Sequence, residues 1–151
     1  MIRPDVELYD SPHHGDYGHC CWEGCEVYEP DFDKHRQATL DALLDNFGAV
    51  DEAIWPYVRR LNLNRNSYTL QSCAGHVGQA TDAVESARLW LRLRQLNNFH
   101  PIARVLSSRS WCEQVSLIYG RESFPVLEIV WHPHSRTQGA ADICELMGAY
   151  G

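Results

Sequence analysis

One segment of the chain has the pattern of a β-strand with two unlike faces. Between residues 87 and 94, apolar and polar side chains alternate without interruption. One side carries Leu89, Leu91 and Leu93, and the other carries Arg88, Trp90, Arg92 and Arg94. Successive residues of a strand point to opposite faces of the sheet, so this period of two predicts a strand with one buried face.

Helical and strand patterns lie on both sides of this strand. The predicted helices cover about residues 31–47, 51–61, 96–106 and 137–150. Pro56 makes the first turn of the second helix irregular or delays its start to Trp55. The other predicted strands cover 67–73, 111–119 and 124–132. The order α-α-β-β-α-β-β-α predicts an α+β fold, with a mixed or antiparallel sheet covered by helices.

The length of 151 residues suits one domain, which we place at residues 31–151. Residues 1–30 are rich in Pro, Gly and acidic side chains and are predicted to form an irregular arm that contains His and Cys. The chain has neither a long apolar run nor the start of a signal peptide, so we expect no membrane association. Six cysteines in such a chain favour a reducing, cytoplasmic setting.

The net charge of −7 is divided unevenly along the chain. Residues 1–52 carry 13 acidic and three basic side chains, a net charge of −10, and the remainder carries 10 basic and seven acidic, a net charge of +3. The acidic arm suits a basic protein partner. The net positive charge of the remainder is compatible with a tRNA or nucleotide-like ligand. A solvated surface of mixed charge explains the same numbers. The oligomeric state is left open.

A turn follows the strand predicted at residues 67–73. It has the sequence Ser72-Cys73-Ala74-Gly75-His76. Glycine permits a positive φ and close approach of a ligand, and adjacent N–H groups in such a turn can form a nest for an anion. The alternative is a structural turn in which Cys73 is a small buried residue and His76 lies on the surface.

This turn and the residues before it resemble the tRNA wybutosine-synthesising protein 3 family. The family has a helix with Phe and Lys, then a Val-Asp-Glu segment, then a strand that ends in Ser-Cys-Ser-Gly-Arg. The counterparts are Phe32, Lys34, Val50, Asp51, Glu52, Ile54, Pro56, Val58, Asn62 and the turn at 72–76. Gln71, Ala74 and His76 depart from the family pattern, where serine, serine and arginine stand. The match covers roughly residues 32–78.

The resemblance implies methyl transfer from S-adenosylmethionine to a modified guanosine in tRNA. It implies that Ser72, Cys73, Gly75 and His76 contact the cofactor. His76 is then the natural base for the reaction, and Cys73 is the second candidate catalytic residue. Without the resemblance, Cys73 is a candidate nucleophile only if a histidine such as His76, His100, His132 or His134 lies beside it.

The polar face of the strand at 87–94 is a candidate surface for substrate phosphates. Arg88, Arg92 and Arg94 have the geometry for phosphate contacts, and Trp90 between them suits base stacking. The alternative is an exposed sheet face on which arginine stems cover apolar surface.

The arm also carries a candidate zinc half-site. Cys21 and Cys25 are separated by three residues, as in many zinc sites. The second half of the site would come from Cys73 and His76, or from His132 and His134. A noncatalytic, zinc-stabilised binding module is therefore the alternative function. A third hypothesis is that the family fold has been reused as an interaction protein.

Overall fold

The structure is a computed structural model, and it describes residues 31–45, 50–77, 84–95, 98–118 and 126–150. The predicted arm at 1–30, with the candidate zinc ligands Cys21 and Cys25, lies outside the described residues.

The described elements confirm the α+β class and the predicted order. The helices are α1 (Phe32–Asp45), α2 (Trp55–Leu63), α3 (Phe99–Ser107) and α4 (Arg136–Tyr150). The strands are β1 (Ser67–Cys73), β2 (His76–Val77), β3 (Val84–Glu85), β4 (Ala87–Leu93), β5 (Cys112–Ile118) and β6 (Val126–Trp131). The two-residue strands β2 and β3 were not predicted, because a strand this short leaves no alternation in the sequence. A single 3₁₀ turn at Pro133–Ser135 precedes α4.

The main sheet has the strand order β1-β4-β6-β5, and every neighbouring pair is antiparallel. Burial alternates along β4 as the sequence predicts: its leucines are buried, and Arg88 on the opposite face is exposed. Side chains from all four helices join the leucine face in one hydrophobic core. No helix in the described ranges combines the length and the apolar character needed to cross a membrane.

Prolines explain where two helices begin. Pro56 lies in the first turn of α2, which begins at Trp55, the later of the two starts that the sequence allows. Pro101 likewise lies in the first turn of α3, which begins at Phe99. A proline is tolerated there because the first backbone N–H groups of a helix have no partner within it.

A buried asparagine joins α2 to β1. Asn62 is fully buried, and its Nδ2 donates to the Val58 carbonyl at 2.8 Å and to Thr69 Oγ1 at 2.9 Å. Its Oδ1 accepts the Thr69 N–H at 2.9 Å. Ser67 Oγ adds a bond to the Leu61 carbonyl at 2.7 Å. These bonds fix the start of β1 against α2.

Candidate functional site

The turn after β1 requires glycine at its centre. Gly75 has φ +77°, as predicted. A Cβ built on it would lie 2.5 Å from the Glu85 carbonyl oxygen, 2.8 Å from the Ala87 nitrogen and 2.9 Å from Pro133 Cβ. The turn is therefore wedged between the start of β4 and the segment after β6. It has no room for any side chain.

The two N–H groups of this turn are already bonded within the chain. The Ala74 N–H donates to Asp51 Oδ2 at 2.7 Å, and the Gly75 N–H donates to Cys73 Sγ at 3.4 Å. The nest expected for an external anion is thus filled by the chain's own carboxylate. Asp51 closes the turn and ties it to the segment that precedes α2.

A cleft of about 470 Å³ opens beside the turn, and we call it the Cys73 cleft. It is lined by Gln71, Cys73, Glu85, Ser86 and Arg88. Cys73 and Arg88 are cross-strand partners in the β1–β4 ladder, so their side chains share one face. The Arg88 side chain is 50% exposed and lies 4.0 Å from the Glu128 carboxylate, beyond hydrogen-bond distance. Gln71, Glu85 and Ser86 were not predicted, because only the strand register brings them together.

Three histidines lie at the same end of the sheet. His76 begins β2 opposite Glu85 of β3, while its side chain lies outside the described part of the structure. Pro133, which adjoins Gly75, stands between His132 and His134. Their rings are exposed and stacked, with centroids 5.0 Å apart. The turn, the cleft and this histidine pair therefore form one region.

The three arginines predicted to act together are separated. Arg88 lines the Cys73 cleft, whereas Arg94 follows the far end of β4, about 20 Å away at the usual rise of a strand. Arg92, opposite Tyr68 in the register, is only partly exposed. Trp90 Nε1 donates to the Glu128 carboxylate at 2.8 Å. Of the predicted surface, only Arg88 belongs to the candidate site.

The described cysteines differ in their surroundings. Burial raises the pKa of the Cys144 thiol to about 11, and burial also raises the pKa of Cys112. Cys144 Sγ donates to the Tyr57 carbonyl at 3.3 Å. These two thiols are suited to packing and not to nucleophilic attack, because the thiolate is the reactive form. Cys73 is partly exposed at the cleft.

No group of three or more His, Cys, Asp or Glu side chains within the described ranges is arranged to hold a metal ion. The zinc half-site predicted at Cys21 and Cys25 lies outside those ranges.

Comparison with known proteins supports the fold. The sequence matches no family model and no curated protein. Among solved structures, the PH1069 protein from Pyrococcus horikoshii is similar, with a TM-score of 0.63 at 13% sequence identity. The superposition covers 80% of this chain and 96% of that chain. At this identity the likeness bears on the α+β architecture alone.

Proposed function

We propose that the protein binds S-adenosylmethionine in the Cys73 cleft and methylates a nucleoside of tRNA. The observation that carries the proposal is the 2.7 Å hydrogen bond from the Ala74 N–H to Asp51. Asp51 belongs to the Val-Asp-Glu part of the resemblance and Ala74 to the turn, which are 23 residues apart in sequence. Both parts of the motif therefore contribute to one structure at the rim of the cleft.

The lining of the cleft fits the chemical groups of S-adenosylmethionine. Its volume of about 470 Å³ lies within the range of small-molecule sites. Arg88 is suited to a carboxylate, and Glu85 to an ammonium group or a pair of ribose hydroxyls. Gln71 and Ser86 offer further donors and acceptors. When bound, this cofactor supplies an electrophilic methyl group on a sulfonium centre.

The chain's own contribution would be orientation and proton removal. The glycine turn and the β1–β4 ladder hold the cleft rigidly, which favours alignment of two bound molecules. Methylation of a ring or exocyclic nitrogen releases a proton, and a base must take it. His76 is the proposed base because its backbone begins β2 beside the cleft. His132 and His134 are the next candidates.

The cofactor part is tested by calorimetric titration of the full chain with S-adenosylmethionine. Arg88→Gln is expected to weaken binding about tenfold, through loss of one charge-assisted hydrogen bond. Arg59→Gln is the matched control, since Arg59 is an exposed arginine on α2 that does not line the cleft. No binding at millimolar cofactor would rule out this part of the proposal.

The catalytic part is tested by transfer of a labelled methyl group to tRNA. His76→Ala is expected to retain cofactor binding and to lose most of the transfer rate. An unchanged rate would exclude His76 as the base. Transfer to no tRNA, even one that carries the unmethylated guanosine derivative, would contradict the proposed reaction while leaving cofactor binding intact.

A further inference from the structure

A second cleft, of about 560 Å³, lies at the other end of the sheet. It is lined by Asp33, Arg36, Asn64, Arg65, Asn66 and Arg94, and we call it the arginine cleft. Three guanidinium groups against one carboxylate leave a net charge of +2 in its lining. The cleft also borders the first turn of α1, where the helix dipole is positive.

Arg94 is held in place from several sides. Its Nε donates to the Arg65 carbonyl at 3.1 Å and to Asn66 Oδ1 at 3.2 Å. Its guanidinium carbon lies 4.6 Å from the centre of the Phe32 ring. The outer edge of the guanidinium pairs with both carboxylate oxygens of Asp33. The group is thus preorganised to receive a planar or tetrahedral anion.

Asp33 is the anion that occupies Arg94 in this structure, and it lies at the protein surface. Its side chain is 69% exposed although it bonds Arg94. The hydrogen bond from Arg94 lowers the pKa of Asp33, so the carboxyl stays ionised near neutral pH. An exposed side chain in the first turn of a helix can rotate into solvent without disturbing the core.

Arg36 also lines the cleft, and it carries a buried donor atom. Its side chain is only 16% exposed, and Nη1 donates to the Asn62 carbonyl at 2.9 Å. Its buried Nε has no hydrogen-bond partner within the described part of the chain. The nearest Asp33 oxygen is 3.8 Å from this Nε, which is too far for a hydrogen bond. A buried donor without an acceptor is uncommon in folded proteins.

We propose that the arginine cleft binds a phosphate group, which displaces Asp33 from Arg94. A phosphate offers more acceptor oxygens than a carboxylate, and so can bond Arg94 and the Nε of Arg36 at the same time. The exposed Arg65 adds a third cation at the rim. Asp33 then acts as an internal competitor that favours ligands of higher negative charge. The site does not depend on methyl transfer, because it lies at the opposite end of β1 from the Cys73 cleft.

The first test replaces Asp33, the proposed internal competitor. Inorganic phosphate and a short single-stranded RNA are titrated separately into the full chain. Asp33→Asn is expected to strengthen binding about two- to fivefold, the range of an exposed ion pair. Asp41→Asn is the matched control. Asp41 is an exposed acid on α1, two helical turns or about 12 Å further on, beyond the screening length at physiological salt.

Removal of a cation gives the second test. Arg65→Gln is expected to weaken the binding of phosphate and RNA about fivefold. The number of counterions released on RNA binding, measured from the salt dependence, is expected to fall by about one. Arg59→Gln, an exposed arginine outside the cleft, is the control. Thermal unfolding checks that each variant is folded.

Binding of neither phosphate nor RNA would overturn the proposal. Binding of phosphate alone identifies a free phosphate or nucleotide as the source, and binding of RNA alone identifies a nucleic-acid backbone. The proposal would be overturned if Asp33→Asn bound the probes no more tightly than Asp41→Asn. It would also be overturned if Arg65→Gln bound them as well as Arg59→Gln. A failure to bind S-adenosylmethionine at the Cys73 cleft leaves this test unaffected.

Discussion

Replacement of Gly75 by alanine is expected to destabilise the fold by about 2–5 kcal/mol. A left-handed φ of +77° costs an alanine about 1–2 kcal/mol. The added methyl group would also lie 2.5 Å from the Glu85 carbonyl oxygen and 2.8 Å from the Ala87 nitrogen. Both are backbone atoms, so relief requires movement of the start of β4, and such overpacking adds about 1–3 kcal/mol.

The assay is urea unfolding followed by tryptophan fluorescence, compared with a glycine that has space around it. Gly148 lies in α4, and a Cβ added there meets nothing within 4 Å. Gly148→Ala is therefore expected to stabilise the protein by up to about 1 kcal/mol through helix propensity. The reasoning is refuted if Gly75→Ala unfolds within about 0.5 kcal/mol of the unmodified chain with an unchanged urea dependence.

Two further predictions concern single side chains. Asp51→Ala leaves the buried Ala74 N–H without its acceptor and is expected to lower the free energy of unfolding by about 1–3 kcal/mol. Asp51→Asn retains an acceptor oxygen and is expected to recover part of this loss. Equal urea midpoints for the two variants would contradict this. A second prediction concerns the Cys144 thiol, whose pKa is about 11 in the folded protein against an ordinary value of 9.0. The folded state favours the protonated thiol, so the stability that it contributes is complete below pH 9 and is lost as the pH rises towards 11. The difference in unfolding free energy between the unmodified chain and Cys144→Ser should therefore shrink over that window, and a constant difference would show that the buried thiol does not titrate as described.

Strand β4 was predictable because the alternation of its side chains is visible in the local sequence. The side chains of Leu89 and Leu91 alternate with arginine and tryptophan, and a period of two specifies a half-buried strand whatever its partners are. The same holds for the helix start at Trp55, which follows from the proline after it. The turn at Gly75 was predictable as well, because glycine permits the positive φ of a sharp turn after a strand.

The last helix shows the limit of such local patterns. By spacing alone, Ala141, Cys144 and either Met147 or Gly148 are predicted to share one side of this helix. The buried set is Ala140, Ile143, Cys144 and Met147. The face is rotated by part of a turn, because it is chosen by what α4 packs against and not by the helix alone.

The make-up of the two clefts was decided by the tertiary structure. Arg88 and Arg94 share one face of the strand that the sequence predicts at residues 87–94, so the sequence could not tell that they serve different ends of the molecule. Cys73 meets Arg88 only through the antiparallel register of β1 and β4. Arg94 meets Asp33 across 61 residues of chain.

The sequence by itself determined the class of the fold, the order of its elements, the buried face of β4 and the place of the glycine turn. These follow from side-chain periodicity and from the backbone limits of proline and glycine, which act over a few residues. Only the tertiary structure decided which polar groups meet. Strand register and helix docking are set by long-range packing, and a shift of the β1–β4 register by one residue would separate Cys73 from Arg88.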